Sequence, residues 1–178
     1  MKRLIASLLV IILLFSITST VLAQEQTPPP ESHSWLIVIN LDTFKLTIYD
    51  NNELYKTYPV ALGRKKTPTP SGKFTILTKA KNPAWGGNGN PKRAKKGGAP
   101  DNPLGPRWLG TSAGKKPGNS IGIHGTIDPK AIGTRASGGC IRMNNKDVIE
   151  IYEFIPKKTP VWIGTTKKLE EWGIKEPV

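Results

Sequence analysis

Short runs of β-branched and aromatic residues, cut repeatedly by glycine and proline, constrain this chain more than any other feature. Phe44-Lys45-Leu46-Thr47-Ile48-Tyr49 alternates apolar and polar residues, the period of a strand with one buried face. Trp35-Leu36-Ile37-Val38-Ile39 is apolar throughout. The short link 40–43 predicts that these two runs pair as a hairpin, with Asp50-Asn51-Asn52 making the next turn. Further strands are expected over 54–62, ending at Gly63, and over 74–78, 107–110, 121–124 and 160–163. One stretch, 145–155, carries the helical period. There Val148, Ile151, Tyr152 and Ile155 share a face, Asn144 is the expected N-cap, Asp147 suits the positive end of the dipole, and Pro156 stops the helix. The expectation is a mainly β domain with one short helix.

The chain opens with Met1-Lys2-Arg3, an uncharged apolar stretch over 4–15, a Ser/Thr patch over 16–20 and Val21-Leu22-Ala23. Residues 1–23 read as a signal peptide cut before Gln24. The alternative is a retained anchor, because 4–23 matches the ~20 residues that span a bilayer. Either way the remainder is expected outside the cytoplasm, in the cell wall or periplasm. Residues 24–33, with Thr27-Pro28-Pro29-Pro30, read as an extended linker. Residues 34–164 match one ordinary domain. The tail, 165–178, carries Leu169, Trp172 and Ile174, enough for a short helix packing back on the domain. The long stretch 82–118 is rich in glycine, proline and basic residues. Such a segment inside a compact domain is functional or disordered, and Trp85-Gly86-Gly87-Asn88-Gly89 reads either as a flap with an aromatic tip or as a plain surface loop.

The formal charge is +13, or +11 without Lys2 and Arg3. Basic runs fall at Arg64-Lys65-Lys66, 79–81, 92–96 and Lys115-Lys116. Nucleic acid is not the expected partner, because the chain is exported and its aromatics are not interleaved with the lysines as stacking platforms require. Anionic wall polymers would feel this charge; a merely solvated surface is the competing reading. Membrane contact is expected only through an uncleaved signal, and the protein is expected to be a monomer.

The single cysteine, Cys140, lies in Ser137-Gly138-Gly139-Cys140-Ile141-Arg142-Met143, sixteen residues after His124 of Ile123-His124-Gly125-Thr126. A lone thiol in an exported chain has no internal partner, so it is lost, paired with another chain or kept for reactivity. Cys140 reads as a nucleophile and His124 as its base, an adjacent imidazole promoting the reactive thiolate. The amides of Gly138, Gly139 and Cys140 are candidates for an oxyanion hole. No carboxylate stands nearer His124 than Asp128, so the Gly125 carbonyl is expected to orient the imidazole. The other histidine, His33, lies in the linker, which leaves no zinc constellation to assemble.

Ile121-Gly122-Ile123-His124-Gly125-Thr126 followed by Ser137-Gly138-Gly139-Cys140-Ile141-Arg142-Met143 resembles the signature of the L,D-transpeptidase (YkuD-type) catalytic domain. Thr67-Pro68-Thr69-Pro70-Ser71-Gly72-Lys73-Phe74 and Asn102-Pro103-Leu104-Gly105-Pro106-Arg107 carry the same resemblance. It implies a mainly β, sandwich-like fold with a short helix after the cysteine. It implies cross-linking of peptidoglycan stem peptides without metal or nucleotide cofactor, and inhibition by carbapenem-type β-lactams. Under the resemblance Cys140 is the nucleophile, His124 the base and Gly125 the source of the orienting carbonyl. Ser137 and Gly139 match the turn before the cysteine; Arg142 is expected to attract a substrate carboxylate, or else to fix the turn, and Trp85 and Thr126 are expected substrate contacts. Many members carry histidine where this chain has Gly138. Water as acceptor would make the protein a carboxypeptidase. A silent wall-binding module, a secreted cysteine peptidase and an anionic-surface binder are the rival readings.

Overall fold

The computed structural model describes residues 32–175; the expected signal peptide and most of the linker lie outside them. In chain order the strands are β1 (Trp35–Asn40), β2 (Lys45–Asp50), β3 (Glu53–Pro59), β4 (Leu62–Gly63), β5 (Gly72–Lys81), β6 (Arg107–Thr111), β7 (Gly122–His124), β8 (Arg135–Ser137), β9 (Ile141–Arg142) and β10 (Pro160–Gly164). Two α-helices, α1 (Asn145–Phe154) and α2 (Thr166–Glu171), complete the set with three short 3-10 turns. Among the described residues no helix is long and apolar enough to cross a membrane.

Eight strands form one sheet in the order β3-β2-β1-β10-β5-β6-β7-β9, and β4 pairs with β8 alone. The β1–β2 hairpin is antiparallel, with Ile37 opposite Ile48 and Ile39 opposite Leu46. Asn51 and Asn52 both take positive φ in the turn to β3, a conformation asparagine tolerates better than most residues. The expected strand over 54–62 is broken in two. Pro59 has no amide to extend the ladder to β2, and the chain crosses over so that Ala61 exchanges both backbone hydrogen bonds with Arg142, at 2.8 and 2.9 Å. That bridge draws the β3 edge to the β9 edge, so the sheet curls almost closed.

Inside the curl lie Ile37, Ile39, Leu46, Ile48, Ile76, Leu109, Ile123, Ile141 and Ile163, all fully buried. Helix α1 covers this core with Val148 and Ile151, the stripe that its period predicts. The opposite face of β1 and β10 takes the tail: Leu169 of α2 is buried with Val38 and Tyr49, and Trp172 and Ile174 pack beside them. Two expectations change. Asn144 does not cap α1 through its side-chain oxygen; its amide instead donates to Asp147 at 3.2 Å. Lys79 is not part of a free basic surface: its ammonium donates to the carbonyls of Tyr152 and, at 2.6 Å, Ile155. A cation at the negative end of a helix is stabilising, and here it ties β5 to the end of α1.

Candidate active site

The parallel pairing of β7 with β9 places Ile123 beside Ile141 and His124 beside Arg142. One step back in this register, Cys140 falls beside Gly122. Alternation along a strand then sends Ile123 and Ile141 into the core and puts Cys140, Arg142 and His124 on one face. All three line a cavity of about 400 Å³, together with Ser137 and Gly138. Residues distant in the chain thus meet because two very short strands are held in a single register.

The imidazole is fixed on several sides. Its Nδ1 lies 2.7 Å from the Gly125 carbonyl oxygen. A carbonyl only accepts, so Nδ1 carries the proton and Nε2 keeps the lone pair. Trp108, directly across the β6–β7 ladder, stacks its ring on His124 with centroids 5.7 Å apart. His124 is 3 % exposed, and burial lowers its pKa to about 4. The carbonyls of Gly125 and Leu104 favour the charged ring, while the Arg142 guanidinium disfavours it. Burial prevails, and the ring is neutral at physiological pH.

The thiol has a different partner. Sγ donates to the Ser120 carbonyl at 3.6 Å, and no hydrogen bond joins it to His124 among the described residues. Burial pushes its pKa up, against the Gly122 amide and Arg142, which both favour the thiolate. The resting site therefore holds a neutral thiol and a neutral imidazole.

The turn before Cys140 has its own support. Ser137 is buried; its hydroxyl donates to the Cys140 carbonyl at 2.6 Å and accepts from the Gly139 amide at 3.1 Å. Gly139 takes φ +122 with Ile121 Cδ1 only 3.0 Å from where a Cβ would sit, so glycine is needed there. Its amide is already committed to Ser137, which removes it from the expected oxyanion-hole donors. Among the described residues the Gly138 and Cys140 amides make no hydrogen bond. Gly138 is exposed with nothing within 4 Å of its Cβ position, so a histidine there would meet open space.

Thr126 departs from its expected role. It is buried and does not line the cavity that holds Cys140 and His124; its hydroxyl accepts from the Asp128 amide at 3.0 Å, and its own amide donates to Asn145 Oδ1 at 2.8 Å. It shapes the loop after His124 instead of facing substrate. Asn145 was missed by sequence reasoning, as was the Ser120 carbonyl. Asn145 reads as the start of a helix, and a backbone carbonyl leaves no mark in a sequence.

The stretch 82–106 folds over the cysteine as a structured flap. Trp85 bridges to Lys95 through paired backbone bonds, both 2.9 Å, and stacks under the Arg93 guanidinium. Asn102 knits the base, donating to the carbonyls of Pro83 at 2.7 Å and Lys96 at 3.0 Å and accepting from the Leu104 amide. Beneath the flap a second cavity of about 620 Å³ adjoins the first, and Trp85, Leu104, Ser120 and Cys140 line both.

A family description, the YkuD L,D-transpeptidase catalytic domain, matches residues 34–163. The chain belongs to that family. YqjB of Bacillus subtilis, which bears the L,D-transpeptidase name, is 37 % identical over 78 % of this chain and 77 % of its own length. YkuD of the same organism is 38 % identical over 77 % of this chain and 70 % of its own. Among solved structures, an L,D-transpeptidase from Mycobacterium smegmatis superposes with a TM-score of 0.61 at 20 % identity, over 75 % of this chain and 60 % of that one. L,D-transpeptidase 3 from Mycobacterium tuberculosis, solved with a faropenem-derived adduct, gives 0.59 at 17 % identity, over 74 % and 60 %. The chain thus spans about 60 % of the length of those structures, and their likeness establishes the mainly β L,D-transpeptidase fold. L,D-transpeptidase membership places the protein among transferases that act on peptidoglycan peptides.

Proposed function

We propose that this protein is an exported peptidoglycan L,D-transpeptidase in which Cys140 is the nucleophile and His124 the proton carrier. The observation that carries the reading is the shared cavity: sulfur and imidazole face one space, with Nδ1 committed to Gly125 and Nε2 left as the basic nitrogen. On substrate binding, Nε2 takes the thiol proton as sulfur attacks the carbonyl joining the diamino acid of a stem tetrapeptide to its terminal D-alanine. The C–N bond breaks, a thioester forms, and the imidazolium returns the proton to the departing amine. An amine of a second stem then attacks the thioester, gives its proton to the same ring and restores the thiol. Energy from the broken amide is kept in the thioester, so no nucleotide is required.

The amides of Gly138 and Cys140 are the donors for the oxyanion. Arg142 receives a substrate carboxylate; its Nε is buried with no partner among the described residues, a cost that a bound anion would relieve. Trp85 forms the wall against which the peptide lies. Residues 1–23 direct export to the wall or periplasm, and the net positive charge holds the enzyme near anionic wall polymers. A carboxypeptidase would use the same groups with water as the second acceptor.

Incubation with disaccharide tetrapeptide followed by intact-protein mass spectrometry tests the reading. An acyl adduct on Cys140, lost in Cys140→Ala, supports it, and the released products separate cross-linking from hydrolysis. A β-lactam such as faropenem gives a second acylating probe. Cleavage of the tetrapeptide by Cys140→Ala at the wild-type rate would sink the proposal.

A further inference from the structure

Three arginines from different parts of the chain line the cavity that holds Cys140 and His124: Arg64 after β4, Arg93 on the flap and Arg142 on β9. No aspartate or glutamate joins them in that lining. Among the described residues none of the three makes an ion pair, whereas Arg107, outside the cavity, reaches Glu153 at 3.4 Å. Arg142 also carries the orphaned, buried Nε. Arg93 is held by the face of Trp85, its guanidinium carbon 5.5 Å from the ring centroid, which leaves its N–H edges free to donate. Like charges gathered around one space repel each other; Arg64 and Arg93 are exposed and Arg142 half-buried, so water screens part of that repulsion and leaves the guanidinium groups open to a ligand. The arrangement is offset once anions occupy the space, and guanidinium forks match carboxylates in pairs.

We infer that this cavity selects a polyanionic acyl donor: a stem peptide whose side carboxylates are free, in preference to one in which they are amidated. This rests on the transpeptidase reading above and narrows its substrate class. A tetrapeptide offers a carboxylate at its terminal D-alanine and can offer others on its glutamate and on the diamino acid. Amidation leaves shape and size almost unchanged but removes charge, so discrimination between the two forms reports the arginines and not the fit. The opposing cavity, with Ala80, Pro83, Ala84 and Trp108 in its lining, has no such concentration of charge.

The test compares two synthetic disaccharide tetrapeptides, one with free glutamate and diamino-acid carboxylates and one with both amidated. Acylation of Cys140 is followed by mass spectrometry. The wild-type kcat/KM should favour the free form by roughly tenfold to 100-fold, the range of a charge-assisted hydrogen bond. Arg64→Gln with Arg93→Gln should bring the ratio towards one. Lys130→Gln with Lys167→Gln, the same loss of two positive charges on exposed surface outside the cavity, should leave the ratio unchanged, and a drop there would point to net charge and overturn the inference. Equal acylation by both peptides in the wild type would overturn it while leaving the transpeptidase reading intact. No acylation by either peptide would instead overturn that underlying reading.

Discussion

The Cys140 thiol donates to the Ser120 carbonyl at 3.6 Å, while His124, facing the same cavity, commits its Nδ1 proton to Gly125 at 2.7 Å. Both groups are therefore satisfied by backbone carbonyls, and neither is charged. Burial sets both protonation states, lifting the thiol pKa and lowering that of the imidazole. Under the proposed mechanism, the thiolate forms only when a substrate displaces the resting hydrogen bond.

Alkylation by iodoacetamide checks this state directly, because only the thiolate reacts. In the ligand-free protein the rate at Cys140 should climb tenfold per pH unit and still be climbing at about pH 8.5, the ordinary thiol pKa. A thiolate–imidazolium pair would instead give a plateau from about pH 5 to pH 8. Such a plateau would refute the neutral pair.

Asn145 supplies a second prediction. Its Oδ1 accepts from the Thr126 amide at 2.8 Å and lies only 2.3 Å from where a Gly125 Cβ would stand, so it clasps the two residues after His124. Asn145→Ala leaves the Thr126 amide without that partner, at a cost of about 1–3 kcal/mol. The Gly125 carbonyl loosens with it, so kcat for acylation should fall more than KM rises. Asn145→Asp keeps the acceptor and suits the first turn of α1, so it should restore both. Failure of the aspartate to rescue kcat would assign Asn145 to stability alone.

Much of this arrangement could be read from the residues, and the remainder has physical reasons for being hidden. Strands β1, β2, β5 and β10 announce themselves because each is long enough to show a pattern, and α1 because its apolar stripe spans nearly three turns. Strands β8 and β9 are three and two residues long, too short for any period, yet β9 sets the register that puts Cys140 on the same face as His124. The break after Pro59 was obscured because Val60-Ala61-Leu62 is as apolar as a strand; only the distant pairing of Ala61 with Arg142 shows that the chain has changed partners. Cys140 and His124 stood out as rare residue types in glycine-rich settings. Thr126 was misjudged because a hydroxyl beside a motif looks the same whether it faces substrate or closes a turn. Ser120 acts through its carbonyl, which every residue type possesses.

His124 also links stability to acidity. Burial holds its pKa at about 4 in the folded protein against 6.5 in the open chain. Between those values the unfolded state binds a proton that the folded state refuses, so stability rises with pH across the window. The contribution is complete above about pH 6.5 and is lost as pH falls towards about 4, reaching roughly 2 kcal/mol of loss at pH 5. The residue is 3 % exposed, so solvent screening removes little of this. Denaturant unfolding of wild type and His124→Gln at pH 7 and pH 5 isolates the effect, because glutamine has no proton to exchange. The variant should be destabilised at pH 7 by loss of the Trp108 stack, yet should lose about 2 kcal/mol less than wild type on acidification. Identical losses in the two proteins would show that the imidazole is not held neutral by burial, and the proton economy drawn for the Cys140 site would fail with it.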